Sequence, residues 1–284
     1  MTRIELVDLI RFVEEIPPLS PTHQRIARLM GREDSTVDQI AAAVSEDPHL
    51  PTRVLAVANA KPHPSRAPIT SLVRAIVTIG FAGVQSLLMS SAAIASLRHY
   101  AGPGVTALWH RSFAAGLAAR ELAQRLRLLD PEEAFMLGQL QHLGQILFWA
   151  RYPKPYAEAL GRLAAGGKTD VVTVEREAFG VTHQEVGYLL ARRLALPEAV
   201  VQVIYHHHEP EAAGSFQPRA VLVHVADVLA CALGCGSDGD PYVRPLKIKK
   251  ETLAALGLTM EDVEPVCEAV LLGFKDFDAY HASV

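Results

Sequence analysis

Residues 138–147 read GQLQHLGQIL. Asp130-Pro131 lies upstream and predicts a helix start, because the carboxylate can cap free N–H groups and proline suits the first helical position. The stretch then continues as a helix with two adjacent polar residues, Gln141 and His142, set among apolar neighbours, and with glycines at 138 and 144. Two neighbouring polar residues in an apolar helix are either a site or the remains of one. Most of the chain follows the same helical grammar.

Leu6, Leu9, Ile10 and Val13 recur at helical spacing. Ser20-Pro21 supplies a cap and a first-turn proline for a helix carrying Ile26, Leu29 and Met30. Ser35 with Asp38 resembles a capping box ahead of Val37, Ile40, Ala41 and Val44. Asp47-Pro48 predicts the next start, Thr70 another, and Gly80 a stop. In the second half, starts are predicted near Gly104, at Asp130, at Thr182 with Glu185, at Pro197 and at Thr259 with Asp262, and a further helix carries Val221 to Leu229. No alternating apolar run is flanked by hairpin turns, and no period of 20 to 50 residues repeats. The expected fold is all-α, in two packed helical lobes, residues 1–102 and 103–284, with the seam at Ala101–Gly104 (AGPG).

Composition sets further bounds. The 284 residues are 50% hydrophobic, enough for a sizeable core. A net charge of −4 gives no general attraction to nucleic acid or to anionic lipid. Lys247, Lys249 and Lys250 form a short KIKK patch without interleaved aromatics, which reads as a solvated face. Cys231, Cys235 and Cys267 lack a partner set for zinc and read as core thiols in a reducing compartment. The opening MTRIELVDLIRFVEE has no apolar run of the signal-peptide kind, so a cytoplasmic location is expected. No charge falls between Arg74 and Arg98, but Gly80 and Gly83 interrupt that run and serines dilute it. Two buried helices meeting at the glycines are expected rather than a membrane span.

The residues able to carry chemistry are mostly histidines, twelve in all. His206, His207 and His208 are consecutive, and such a run usually ends a helix in solvent, where imidazolium meets the negative end of the dipole. His183 falls in a helix's first turn. His224 and Asp227 share a face three residues apart and read as a hydrogen-bonded pair or a metal pair. If their helices converge, His142, His183, His207, His208 and Asp227 form one cluster. There is no GxSxG, no P-loop and no cysteine-nucleophile signature.

Several separated segments together resemble the HDOD domain, a helical signalling module related to the HD metal-dependent phosphohydrolases. Ile16–Pro21 (IPPLSP) is similar to the family's LPPLP opening. Glu46–Leu50 (EDPHL) with Val54–Asn59 (VLAVAN) resembles its DPxL…LLxxAN segment, and Ile69–Ile76 with Ile79-Gly80 its I-x-S-x-x-x-A-I…LG segment. Leu108–Ser112 (LWHRS) matches its tryptophan-led helix. GQLQHLGQIL, Thr182–Gly187 (THQEVG), Leu196-Pro197, His207–Pro210 (HHEP) and His224–Asp227 (HVAD) follow in order.

The resemblance implies a bacterial regulatory protein, usually non-enzymatic, acting as a signalling output or adaptor, including in cyclic-dinucleotide-related pathways. An HD metal centre uses a His, an adjacent His-Asp and a late Asp. Carried over by position, these fall at Arg111, at Gln141-His142 and at Asp227. His110 cannot stand in for the first, since successive helical residues point about 100° apart. Arg111 has no lone pair for a metal and Gln141 only a neutral amide oxygen. His142 lacks the negative charge of the Asp it replaces. His183, His207 and His208 match positions used by two-metal HD-GYP relatives and are candidate ligand or metal residues, although no native metal and no cofactor are expected.

The expected function is therefore binding, of a signalling protein or a small ligand, with no catalytic residue, no nucleic acid and no membrane. The rivals are a phosphohydrolase acting on a nucleotide or cyclic dinucleotide, and a small-molecule sensor using the degenerate pocket. Arg111 is expected to replace the lost metal by pairing with Asp227, with Gln141 or His142 close by.

Overall fold

Apolar residues at helical spacing need a partner surface, and here the partners are other helices. The computed structural model describes residues 6–32, 34–59, 68–97, 99–100, 102–164, 170–235 and 256–275, and among these no strand occurs. The helices run α1 (Leu6–Glu15), α2 (Pro21–Met30), α3 (Val37–Ser45), α4 (Leu50–Ala58), α5 (Leu72–Leu97), α6 (Pro103–Leu126) and α7 (Pro131–Leu140). They continue as α8 (Leu143–Arg151), α9 (Pro153–Ala164), α10 (Val171–Phe179), α11 (His183–Arg193), α12 (Glu198–His206), α13 (Gln217–Ala232) and α14 (Met260–Phe274). The KIKK patch lies outside the described residues.

Local chemistry sets most helix starts. Ser20 caps α2, with Pro21 in its first turn, and Asp130 accepts from the N–H groups of Glu132 and Glu133 to cap α7. Thr182 with Glu185, and Thr259 with Asp262, form capping boxes on α11 and α14. Three expected starts move. The box on α3 is Thr36 with Gln39, not Ser35 with Asp38: the Thr36 hydroxyl accepts from Gln39 N–H at 3.2 Å and the Gln39 amide oxygen from Thr36 N–H at 3.0 Å. Asp47 does accept from His49 and Leu50 N–H, at 2.8 and 3.0 Å, but α4 begins only at Leu50. Likewise α5 begins at Leu72, with the Ser71 hydroxyl accepting from Arg74 N–H.

The chain breaks at Gly80 (φ 83°, ψ 164°), a conformation that favours glycine, and resumes as helix without a loop. The whole of α5 is long and apolar enough to cross a membrane by length and composition. Its second half is instead packed inside the protein: Leu87, Leu88, Met89, Ala93, Ile94 and Leu97 are all buried.

The first lobe packs α2, α3 and α4 on α5; the second is organised around α6, which α7, α13 and α14 cover. The lobes meet where α5 lies on α7. The first helix crosses this division, because α1 packs on α11 and Arg193 Nε donates to the Ile16 carbonyl at 2.9 Å. Cys231 and Cys235 are buried and Cys267 half-buried, all as free thiols; burial, then Cys267, pushes Cys235 up to about 11.

The glycines of GQLQHLGQIL are where helices come closest. A Cβ on Gly138 would stand 2.7 Å from the Ala115 carbonyl oxygen of α6, and one on Gly144 only 1.9 Å from the His183 carbonyl oxygen at the start of α11. Gly187 faces Gly144 from α11, so the two backbones pack without intervening side chains. Gly144→Ala is expected to force α8 and α11 apart, at a cost of about 3 kcal/mol or more. Thermal and denaturant unfolding measure it, with a loss under about 1 kcal/mol counting against the close approach.

We also expect the full chain to unfold in one cooperative calorimetric transition, because α1 ties the first lobe to the second. Two separated transitions would refute this.

Candidate functional site

Four helices carry the positions marked by the sequence. Arg111 sits on α6, Gln141 and His142 at the α7–α8 junction, and Asp227 on α13. Arg111 and Asp227, 116 residues apart, form a two-pronged ion pair: Nε donates to Oδ1 at 2.9 Å and Nη2 to Oδ2 at 2.5 Å. The Arg111 side chain keeps 15% exposure and the Asp227 side chain 3%. Burial would raise the Asp227 pKa, but Arg111 and then His142 outweigh it and hold the carboxyl well below its usual range. Burial likewise opposes the charge of Arg111, and Asp227 more than restores it.

His142 completes the group. Its Nε2 lies 3.3 Å from Asp227 Oδ1 and its Nδ1 3.3 Å from the Ser112 hydroxyl. Burial, only partly offset by Asp227, lowers its pKa, so it stands as a neutral ring beside the carboxylate. Gln141 is fully buried; its amide N–H donates to the Gly138 carbonyl at 3.2 Å, while its oxygen finds no hydrogen-bond partner among the described residues. His110 packs edge-on against Phe274 of α14.

These residues do not fit the metal that the HD arrangement would hold. The guanidinium donates to both oxygens of the one surviving carboxylate ligand and adds a fixed positive charge. A divalent ion at Asp227 would have to displace Arg111 and then lie against it.

The remaining histidines converge a few ångströms away. His183 Nε2 lies 3.1 Å from His207 Nε2 and 3.1 Å from His208 Nε2, and a ring nitrogen of each of the three lies within 4.8 Å of the others. The run at 206–208 is therefore not a solvated helix end: His207 is buried, and His208 is half-buried with its ring turned inward. Burial first, then neighbouring imidazoles, lowers both His207 and His208 well below the usual histidine range. His142 and His207 meet edge to face with ring centres 5.7 Å apart, which joins the two groups. His224 does not pair with Asp227 as its spacing suggested. Its Nδ1 lies 2.8 Å from the His207 carbonyl oxygen, so it steadies the turn that carries His207 and His208.

Sequence reading missed Glu175 and Tyr156. Glu175 is fully buried on α10: one oxygen accepts from the Tyr156 hydroxyl at 2.6 Å, the other from His183 N–H at 2.8 Å and sits 2.7 Å from His183 Nδ1. In VVTVEREAF, Glu175 and Glu177 look alike as helix-surface acids, yet Glu177 pairs with Arg162 in solvent. No local signal separates them.

Comparison with known proteins places this geometry. The HDOD domain family matches residues 16–210. An uncharacterised protein of Treponema pallidum (strain Nichols) is 26% identical over 221 residues, 76% of this chain but 42% of that protein. Ribonuclease Y of Thermus thermophilus is 47% identical over 60 residues, 21% of this chain and 10% of the enzyme. The chain thus matches less than half the length of these relatives. Among solved structures, a protein of Shewanella amazonensis provisionally assigned as a phosphohydrolase aligns with TM-score 0.70 at 25% identity, covering 97% of each chain. An HDOD domain protein of unknown function from Geobacter sulfurreducens aligns with TM-score 0.66 at 23% identity, covering 98% of this chain and 93% of that one.

The Arg111–Asp227 pair is testable by its energy. Arg111→Met and Asp227→Asn are each expected to cost about 3–5 kcal/mol, because each strands the other's buried charge. The double variant should recover about 1–3 kcal/mol against the sum; additive losses would show no interaction. The pair also sets an acid limb. A carboxyl depressed by folding contributes stability that is fully present above its unfolded pKa of about 3.9 and is lost as pH falls through the folded value. Wild-type stability should therefore fall more steeply than that of Asp227→Asn as pH drops below about 4.

Proposed function

The chain belongs to the HDOD domain family, and from that premise we propose that it is a non-enzymatic signal-transduction regulator that acts by binding a protein partner or a small ligand. The observation that carries the reading is the two-pronged contact of Arg111 with Asp227. A hydrolytic metal centre lowers the pKa of a bound water through charge and open coordination. Here a permanent cation takes up the carboxylate that would be the ligand, and the adjacent positions offer a neutral amide and a neutral ring. The group serves as a packed, charge-balanced connection between α6, α8 and α13.

A groove at the lobe junction supports the reading. A groove of about 330 Å3 opens there between Val57, Ala58 and Ile79 of the first lobe and Arg120, Asp130 and Pro131 of the second. Its mixed apolar and charged lining suits a protein segment or a polar small molecule better than a lipid.

The test is hydrolysis. Full-length protein, prepared without nickel affinity and supplied with manganese or iron, is expected to show no phosphodiesterase or nucleotidase turnover above that of Asp227→Ala. Turnover that survives stringent purification and disappears in that variant would establish the rival phosphohydrolase reading.

A further inference from the structure

The three converging histidines turn ring nitrogens toward one another. His207 Nδ1 lies 2.9 Å from the Ile204 carbonyl oxygen, which can only accept, so the ring proton is on Nδ1 and Nε2 carries a lone pair. His183 Nδ1 faces Glu175, whose two oxygens already receive the Tyr156 hydroxyl and the His183 backbone N–H. With Nδ1 turned to that carboxyl group, Nε2 is the His183 nitrogen that faces the other two rings. Its Nε2 stands 3.1 Å from Nε2 of His207 and 3.1 Å from Nε2 of His208. A cation shared between the rings satisfies all three nitrogens.

The spacing agrees with that solution. Nitrogens about 2.0–2.1 Å from a tetrahedral zinc stand about 3.3 Å apart; His183 Nε2 stands 3.1 Å from each of the other two, and ring nitrogens of all three lie within 4.8 Å of one another. The support around the rings is also of the kind metal-bound imidazoles need. A ligating histidine commonly gives its other N–H to a carboxylate or a backbone carbonyl, which fixes the ring and raises its basicity. His183 has Glu175 in that role, and His207 has the Ile204 carbonyl. His224, bonded to the His207 carbonyl, and Gly144, which lets α8 lie against the first turn of α11, hold the ring-bearing segments in place.

We infer that His183, His207 and His208 form a three-imidazole site for one divalent transition metal of the zinc–cobalt–nickel class, with Glu175 and Tyr156 as its outer support. Three neutral nitrogen donors suit that class and leave a fourth coordination position for water or an anionic donor. The site is separate from Asp227, which Arg111 occupies. Sequence alone led to the opposite expectation, because it shows neither how the three rings face one another nor that Glu175 stands behind His183. The inference goes beyond the binding role and does not depend on it: metal uptake can fail while the absence of hydrolysis stands.

The test uses the full chain without a histidine tag, stripped with chelator and titrated with Co2+ and with Zn2+. We expect one equivalent of each to bind, with a tetrahedral-type visible spectrum for Co2+ and a raised Tm for Zn2+. Glu175→Gln is expected to weaken binding about 10–100-fold. His208→Ala, at a half-buried position that tolerates truncation, should weaken it at least as much and keeps the test open if the Glu175 variant fails to fold. The double variant Arg111→Met, Asp227→Asn should bind Co2+ as wild type does. Less than stoichiometric uptake, uptake unchanged in His208→Ala, or loss of uptake only in the Arg111–Asp227 variant would each overturn the inference.

Discussion

A guanidinium lying flat against a buried carboxylate holds the centre of this protein together. Arg111 projects from α6, the helix around which the second lobe is built, and Asp227 from α13, which covers it. Neither charge is tolerable there alone, since an unpaired buried ion costs several kcal/mol. Together they neutralise one another and fix how the two helices sit. His142 adds a third contact from the start of α8. The relative placement of three helices therefore depends on one ion pair formed across 116 residues of chain.

A second constraint is steric. Gly138 lets α7 approach α6, and Gly144 with Gly187 lets α8 lie against α11. These contacts bring His142, on one side of the junction, and His183, on the other, toward the loop that carries His207 and His208. The GQLQHLGQIL stretch thus serves both groups, because its glycines set the backbone distances between the helices.

The two polar groups differ in how they are balanced. The Arg111–Asp227 pair has its positive charge built in. The imidazole group has three rings and an acidic side chain, Glu175, behind one of them. An added cation is redundant at the first, whereas the second turns three ring nitrogens toward one point. Membership of the HDOD domain family by itself does not separate two groups so differently balanced.

What the sequence determined by itself was the local and the categorical. Caps and apolar spacing specified helices, since N–H groups at a helix start are satisfied by residues only two or three positions away; where a start moved, as from Ser35 to Thr36 or from Asp47 to Leu50, the competitors were adjacent residues of similar local merit. The identity of Arg111 settled that it could not be a ligand, because a guanidinium lacks a lone pair in any fold. Tertiary structure decided everything that required two distant side chains to meet. His224 pairs with a backbone carbonyl rather than with the Asp three residues on, since the loop after α12 folds over it. His207 is buried in a run that reads as solvated, because α11 packs against α12. Glu175 became the anchor of His183 while Glu177 stayed in solvent; two residues along a helix is half a turn, and only the position of α10 against its neighbours says which half faces in.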